Sequence, residues 1–233
     1  MSHRWKPIVT CLSLLVFAVA GGCGGSGDTN QPPAAAIDGT KDAATSEGGS
    51  KTSAAPKPTS DSQHPVVVIE TSKGKITVEL DREKAMLTVD NFLLYANASF
   101  YDQSIIHQVF KNQGILAGGY GTNMLPIAKP THAAVRNEAD NQLKNVRGAI
   151  AMIRLAGDVH SATSQFFINV ADNHDLDYKD RNTPEGYGYC VFGKVTDGMD
   201  VVDKINEAKV RDAPKLERTP DEPIIVMSIR WIR

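Results

Sequence analysis

From residue 66 to residue 232 the apolar residues arrive in short bursts, and that rhythm restricts the fold more than any single motif does. VVVIETSKGKITVEL, residues 66–80, carries β-branched residues on both sides of Lys73-Gly74 and predicts two strands joined by a tight turn. Runs at 105–110, 149–153, 165–170, 189–195 and 223–232 are each bounded by Gly, Asn, Asp or Pro, which is the length and punctuation of further strands. Two stretches break the pattern. TVDNFLLYANASF sets Val89, Phe92, Leu93 and Ala96 at i, i+3, i+4 and i+7, and GMDVVDKINEA sets Met199, Val202 and Ile205 at helical spacing. Many short strands with two helices predict a mainly β domain, a closed or nearly closed antiparallel barrel capped by the helices. Periodicity alone names no activity.

The first 64 residues have a different character. A basic start with His3, Arg4 and Lys6 runs into PIVTCLSLLVFAVAGG, and that order of basic, apolar and small residues predicts an export signal over residues 1–22. The apolar run is short for a membrane span, which needs about 20 apolar residues. Cys23 follows Ala20-Gly21-Gly22, and this ending resembles a bacterial lipobox, which implies cleavage before Cys23 and lipidation of it. Residues 24–64 are rich in Gly, Ser, Thr, Ala, Pro and Lys, with Ile37 their one large apolar residue. Such a segment cannot offset its ordering entropy and is expected to be a disordered linker, with its ends separated by roughly 35 Å on average. The expected location is the cell envelope, with the protein lipid-anchored to a bacterial membrane and facing the periplasm or the exterior.

Residues 65–233 are one domain's worth of chain, and at that size folding buries roughly 70% of the unfolded surface. The three cysteines predict no disulfide inside it: Cys11 leaves with the signal, Cys23 is the lipid site, and Cys190 in YCVFGKV reads as a buried small hydrophobe. A net charge of −2 gives no reason to expect nucleic acid, and His107, His132, His160 and His174 have no metal-ligand spacing. A monomer is expected.

SATSQFFINV (161–170) and YCVFGKVTDGMDVVDKI (189–205) resemble the cyclophilins. TSKGKITVEL, VDNFLLYA, FYDQSIIH, the Gly118-Gly119 pair and NEADNQLKNVRGAIAM extend the resemblance over the whole domain, in the right order, and closest to the bacterial periplasmic branch. The resemblance implies a closed eight-stranded antiparallel barrel with a helix at each end, peptidyl-prolyl cis–trans isomerase activity, and no cofactor. It also implies Xaa-Pro segments of exported proteins as partners. That reaction makes no covalent bond. Its barrier of about 18–20 kcal/mol is amide resonance, so a catalyst needs an apolar grip on the proline ring and fixed donors that favour the twisted bond.

Carried over residue by residue, Phe167 and Leu176 match the family's pocket phenylalanine and leucine, and Gln165 and Met152 match too. Tyr189 stands at the pocket rim, and His107 matches a histidine that packs rather than carries protons. The departures cluster. The family's FHRVIPGFMIQGG reads here IHQVFKNQGILAGG, one residue longer between the histidine and the glycine pair. Gln108 replaces the catalytic arginine. Counted back from the glycine pair, Ala117 replaces the glutamine, Ile115 the methionine and Gly114 the phenylalanine. Ile153 stands where a small alanine lets the peptide approach, and Asp175 replaces a tryptophan. Lys111, Arg147 and Arg154 lie close enough in sequence to be considered as replacement cations, with Arg154 read as a solvated rim charge. The expected site is therefore Gln108 and Phe167 for catalysis, with Ile115, Ala117, Met152, Ile153, Gln165, Leu176 and Tyr189 holding substrate. Two functions follow: a prolyl isomerase with a weakened site that assists exported proteins, or a non-catalytic peptide- or protein-binding module on the same scaffold.

Overall fold

A computed structural model describes residues 63–127, 129–213 and 216–233. The expected export signal, Cys23 and nearly all of the expected linker lie outside the described residues. Among the described residues eleven strands follow in chain order: β1 Val66–Thr71, β2 Gly74–Leu80, β3 Ser104–Ile106, β4 Gln108–Phe110, β5 Gly114–Ala117, β6 Ala149–Met152, β7 Phe166–Asn169, β8 Val191–Asp197, β9 Val210–Ala213, β10 Leu216–Pro220 and β11 Ile224–Trp231. The helices are α1 Met86–Asn97, the single-turn α2 Pro184–Tyr187 and α3 Met199–Asn206, with a 3₁₀ turn at His174–Leu176.

One nine-stranded sheet runs β3-β11-β1-β2-β8-β6-β7-β5-β4, all antiparallel. Its two edges are halves of one run of chain. β3 pairs with β11, β4 pairs with β5, and only His107 separates them. The His107 amide donates to the Leu116 carbonyl at 3.0 Å and carries the ladder across the join. Counting β3 and β4 as one stave, the barrel has eight. The strand that follows α1 is thus the one that closes the barrel, and Gln108 sits on it.

The sequence-predicted elements recur with small shifts. The β1–β2 hairpin turns at Ser72-Lys73, one residue earlier than expected. Thr71 fixes the turn: its Oγ1 donates to the Gly74 carbonyl (2.7 Å) and accepts from the Lys73 amide (3.1 Å). α1 turns Val89, Phe92, Leu93 and Ala96 inward, and Phe92 meets Phe166 edge to face at 5.4 Å and Phe192 at 5.2 Å. No side chain at its own N-terminus caps α1. Glu138, from a distant loop, accepts from the Leu87 and Thr88 amides (3.2 and 2.9 Å), placing a carboxylate where unpaired amides and the helix dipole favour it. α3 buries Val202 and Ile205. The short α2 and the β9–β10 ribbon were not foreseen; the ribbon's sequence, VRDAPKLERTP, is polar and holds two prolines. It packs beside β4.

Candidate active site

Across the five neighbouring strands β4-β5-β7-β6-β8 the register lines up two kinds of row. Val109, Ile115, Ile168 and Ile150 form one, and all four lie in the barrel interior. The adjacent row is Gln108, Leu116, Phe167, Ala151 and Val191. Because side chains alternate across a strand, this second row faces outward. There Leu116, Phe167, Ala151 and Val191 join Leu176 and Tyr189 in a separate apolar cluster, bordered by Phe110, Leu143 and Ile153. Gln108 is the row's polar end.

The structure divides the expected residues along this boundary. Phe167, Leu176, Tyr189 and Ile153 come together on the outer face. Gln165 sits next to them: its carbonyl accepts from the Ile153 amide at 2.9 Å, and its side chain lies over Gly119. A Cβ on Gly118 (φ +87°) would come within 2.5 Å of the Ser164 carbonyl oxygen, so glycine is required there, while one on Gly119 would come within 2.6 Å of the Gln165 Cδ and displace that side chain. Ile115, Ala117 and Met152 instead belong to the barrel interior, with Ala117 and Met152 flanking Phe166. β5 pairs Ile115 with Ile168 and Leu116 with Phe167, so alternation along the strand turns Ile115 and Ala117 inward whatever the length of the β4–β5 turn. Leu116 and Gly114 take the outward positions.

Leu176 is held by an amide network that motif reading missed. Asp177 Oδ1 accepts from the Asn145 amide (2.7 Å), and Asn145 Oδ1 accepts from Asn169 Nδ2 (3.3 Å). Asn169 Oδ1 in turn accepts from Asn173 Nδ2 at 2.6 Å. This ties the 3₁₀ turn that carries Leu176 to the strand that carries Phe167. The signal available in sequence was Asn169, a polar residue closing the apolar run FFIN.

The candidate cations separate just as clearly. Arg147 is bidentate to Asp203 and donates to the Val170 carbonyl. Arg154, expected at a solvated rim, is buried: it donates to the carbonyls of Gly188, Leu155, Ala156 and Pro184 and lies 4.7 Å from the Tyr189 ring centroid. It braces the loop under Tyr189, whose hydroxyl is pushed up chiefly by burial. Lys111 is exposed on the β4–β5 turn. His107 is buried with its ring against Tyr120 (4.8 Å) and its Nδ1 without a partner; burial lowers its pKa from 6.5 to about 3, so at neutral pH it is uncharged and packs.

At Gln108 the side chain is engaged. Its Nε2 donates to the Glu217 carbonyl at 3.1 Å, so the β9–β10 ribbon is fastened to the strand that closes the barrel. Next to Glu217, Arg218 lays its guanidinium over Phe110, 5.5 Å from the ring centroid. The site is thus the outer face of an antiparallel barrel, an apolar cluster with Gln108 at one end and the loop-borne Leu176 and Tyr189 at the other.

The comparisons agree. The family described as cyclophilin type peptidyl-prolyl cis-trans isomerase/CLD matches residues 66–230. Peptidyl-prolyl cis-trans isomerase A of Dickeya dadantii (strain 3937) is 42% identical over 167 residues, covering 72% of this chain and 84% of that one. Peptidyl-prolyl cis-trans isomerase B of Escherichia coli (strain K12) is 42% identical over 164 residues, covering 70% and 98%. In fold, the chain is similar to a cyclophilin type isomerase of Cryptosporidium parvum crystallised in the presence of the dipeptide Ala-Pro. That similarity has a TM-score of 0.59 at 24% identity and covers 72% of this chain and 98% of that one. The chain belongs to the cyclophilin-type peptidyl-prolyl cis-trans isomerase family and is a peptidyl-prolyl isomerase.

Proposed function

We propose that this isomerase works at a reduced rate on Xaa-Pro segments of exported proteins, because the strand position that carries the family's catalytic arginine is Gln108. The observation that carries this reading is the hydrogen bond from Gln108 Nε2 to the Glu217 carbonyl. It commits one N–H of the Gln108 amide to the protein's own backbone, so at most the second, a neutral donor, can face a prolyl nitrogen. A hydrogen bond to a charged group contributes about 1.5–3 kcal/mol and a neutral one about 0.5–1.5. The deficit of one or two kcal/mol is roughly five- to thirtyfold in rate. Cis–trans exchange NMR on an Ala-Pro peptide, comparing the full chain with Gln108→Arg, tests it. Measurable acceleration by the parent and a roughly five- to thirtyfold gain in the variant are expected; equal rates would remove Gln108 as the limiting residue.

A second reading, a peptide-binding module without useful catalysis, has its own support. Leu116 and Phe167 are both 0% exposed, so the apolar cluster where a proline ring would rest is covered by its own side chains. Peptide resonances perturbed with no acceleration of exchange would favour it. The envelope location rests on the sequence of residues 1–64. Cys23→Ser should move the protein from the membrane to the soluble fraction, and a variant that stays with the membrane would count against lipid anchoring there.

A further inference from the structure

Four observations meet at the β9–β10 ribbon. Gln108, in the catalytic arginine's place, fastens the ribbon through the Glu217 carbonyl. The pairing of β9 with β10 is irregular between Leu216 and Thr219, so the two residues in between bulge out of the ladder. Arg218 within that bulge has φ +54°, a left-handed conformation rare for an arginine. It is secured by its amide donating to Asp212 Oδ1 (3.0 Å) and by Thr219 Oγ1 donating to the Leu216 carbonyl (3.2 Å). The guanidinium so presented rests over Phe110, which borders the same outer cluster as Phe167. Among the described residues it has no ion-pair or hydrogen-bond partner, whereas Arg147 and Arg154 are fully committed.

Bulges next to active sites serve to re-aim a side chain, and a strained residue persists only where its surroundings enforce it. We propose that Arg218 is the catalytic donor of this isomerase: the guanidinium has moved from the barrel strand to the ribbon, and Gln108 is the positioning residue that holds the ribbon in place. This rests on the isomerase reading above and supplies the rate that reading leaves: a guanidinium held on the ribbon over Phe110 serves less well than one on the barrel strand. Arginine offers five donors in a planar fork and stays charged, so from beside Phe110 it can donate to the prolyl nitrogen as the lone pair localises. No bond is made or broken; the guanidinium favours the twisted amide over either planar form.

The test is a double-mutant cycle on the full chain, read as kcat/KM by exchange NMR with an Ala-Pro peptide and accompanied by urea unfolding. Arg218→Ala should lower kcat/KM at least tenfold with the unfolding midpoint unchanged, and Arg218→Lys should recover part of the loss. In a Gln108→Arg background the same Arg218→Ala change should cost less than threefold, because the strand then carries its own guanidinium. A parent-like rate for Arg218→Ala overturns the proposal, and so does an equal loss in both backgrounds. A parent chain that fails to accelerate exchange at all overturns the isomerase reading itself, a result distinct from either.

Discussion

Substituting His107 with phenylalanine should change how stability depends on pH while leaving the barrel intact. In the folded chain burial holds the imidazole neutral, with its pKa lowered from 6.5 to about 3. The unfolded chain takes up the proton near 6.5. The folded value is the depressed one, so the stability this histidine contributes is complete above about pH 7. It is lost progressively as pH falls from about 6.5 toward about 3. Between pH 7 and pH 5 the loss amounts to about 2 kcal/mol, because each further unit below the unfolded pKa costs about 1.4. With a urea slope of about 1–3 kcal/mol per molar, that moves the midpoint by roughly 0.7–2 M. Phenylalanine is close in volume, keeps a ring against Tyr120, leaves the main-chain bond to Leu116 in place, and removes an Nδ1 that has no partner. At pH 7.5 its stability should therefore fall within about 1.5 kcal/mol of the parent's. Urea curves for both proteins at several pH values from 7.5 to 5 isolate the histidine, since every other titrating group is common to both. Parallel pH profiles would refute the reasoning and mean that His107 is reached by protons in the folded state.

Phe167→Ala, which empties the centre of the outer cluster, should cost about 3–5 kcal/mol by urea unfolding, and a cost below about 1 would mean the cluster is not packed as described. Cys190 should resist a maleimide at pH 8 in the folded protein and react once urea is added, because burial pushes its thiol up to about 12. Mass spectrometry of the peptide that contains it reads the outcome, and rapid labelling without urea would contradict the burial.

What the sequence determined by itself is everything that depends on local pattern. Strand runs, the inward stripe of α1 and the isolation of Cys190 in an apolar stretch follow from side-chain periodicity and burial preference, which are properties of neighbouring residues. Family membership was legible for a related reason: the motifs that carry it are contiguous. Tertiary structure decided the rest. Whether Ile115 or Leu116 faces the groove is a question of parity, settled only when Gln108 pairs with Leu116 across the β4–β5 turn. Arg154 could not be distinguished from a solvated charge until the carbonyls of residues 155, 156, 184 and 188 closed around it. The meeting of Gln108 with Glu217, 109 residues apart, has no local signal at all. Side-chain periodicity is set along the chain, but a donor's partner and a strand's register are set across it, and only folding brings those atoms within reach.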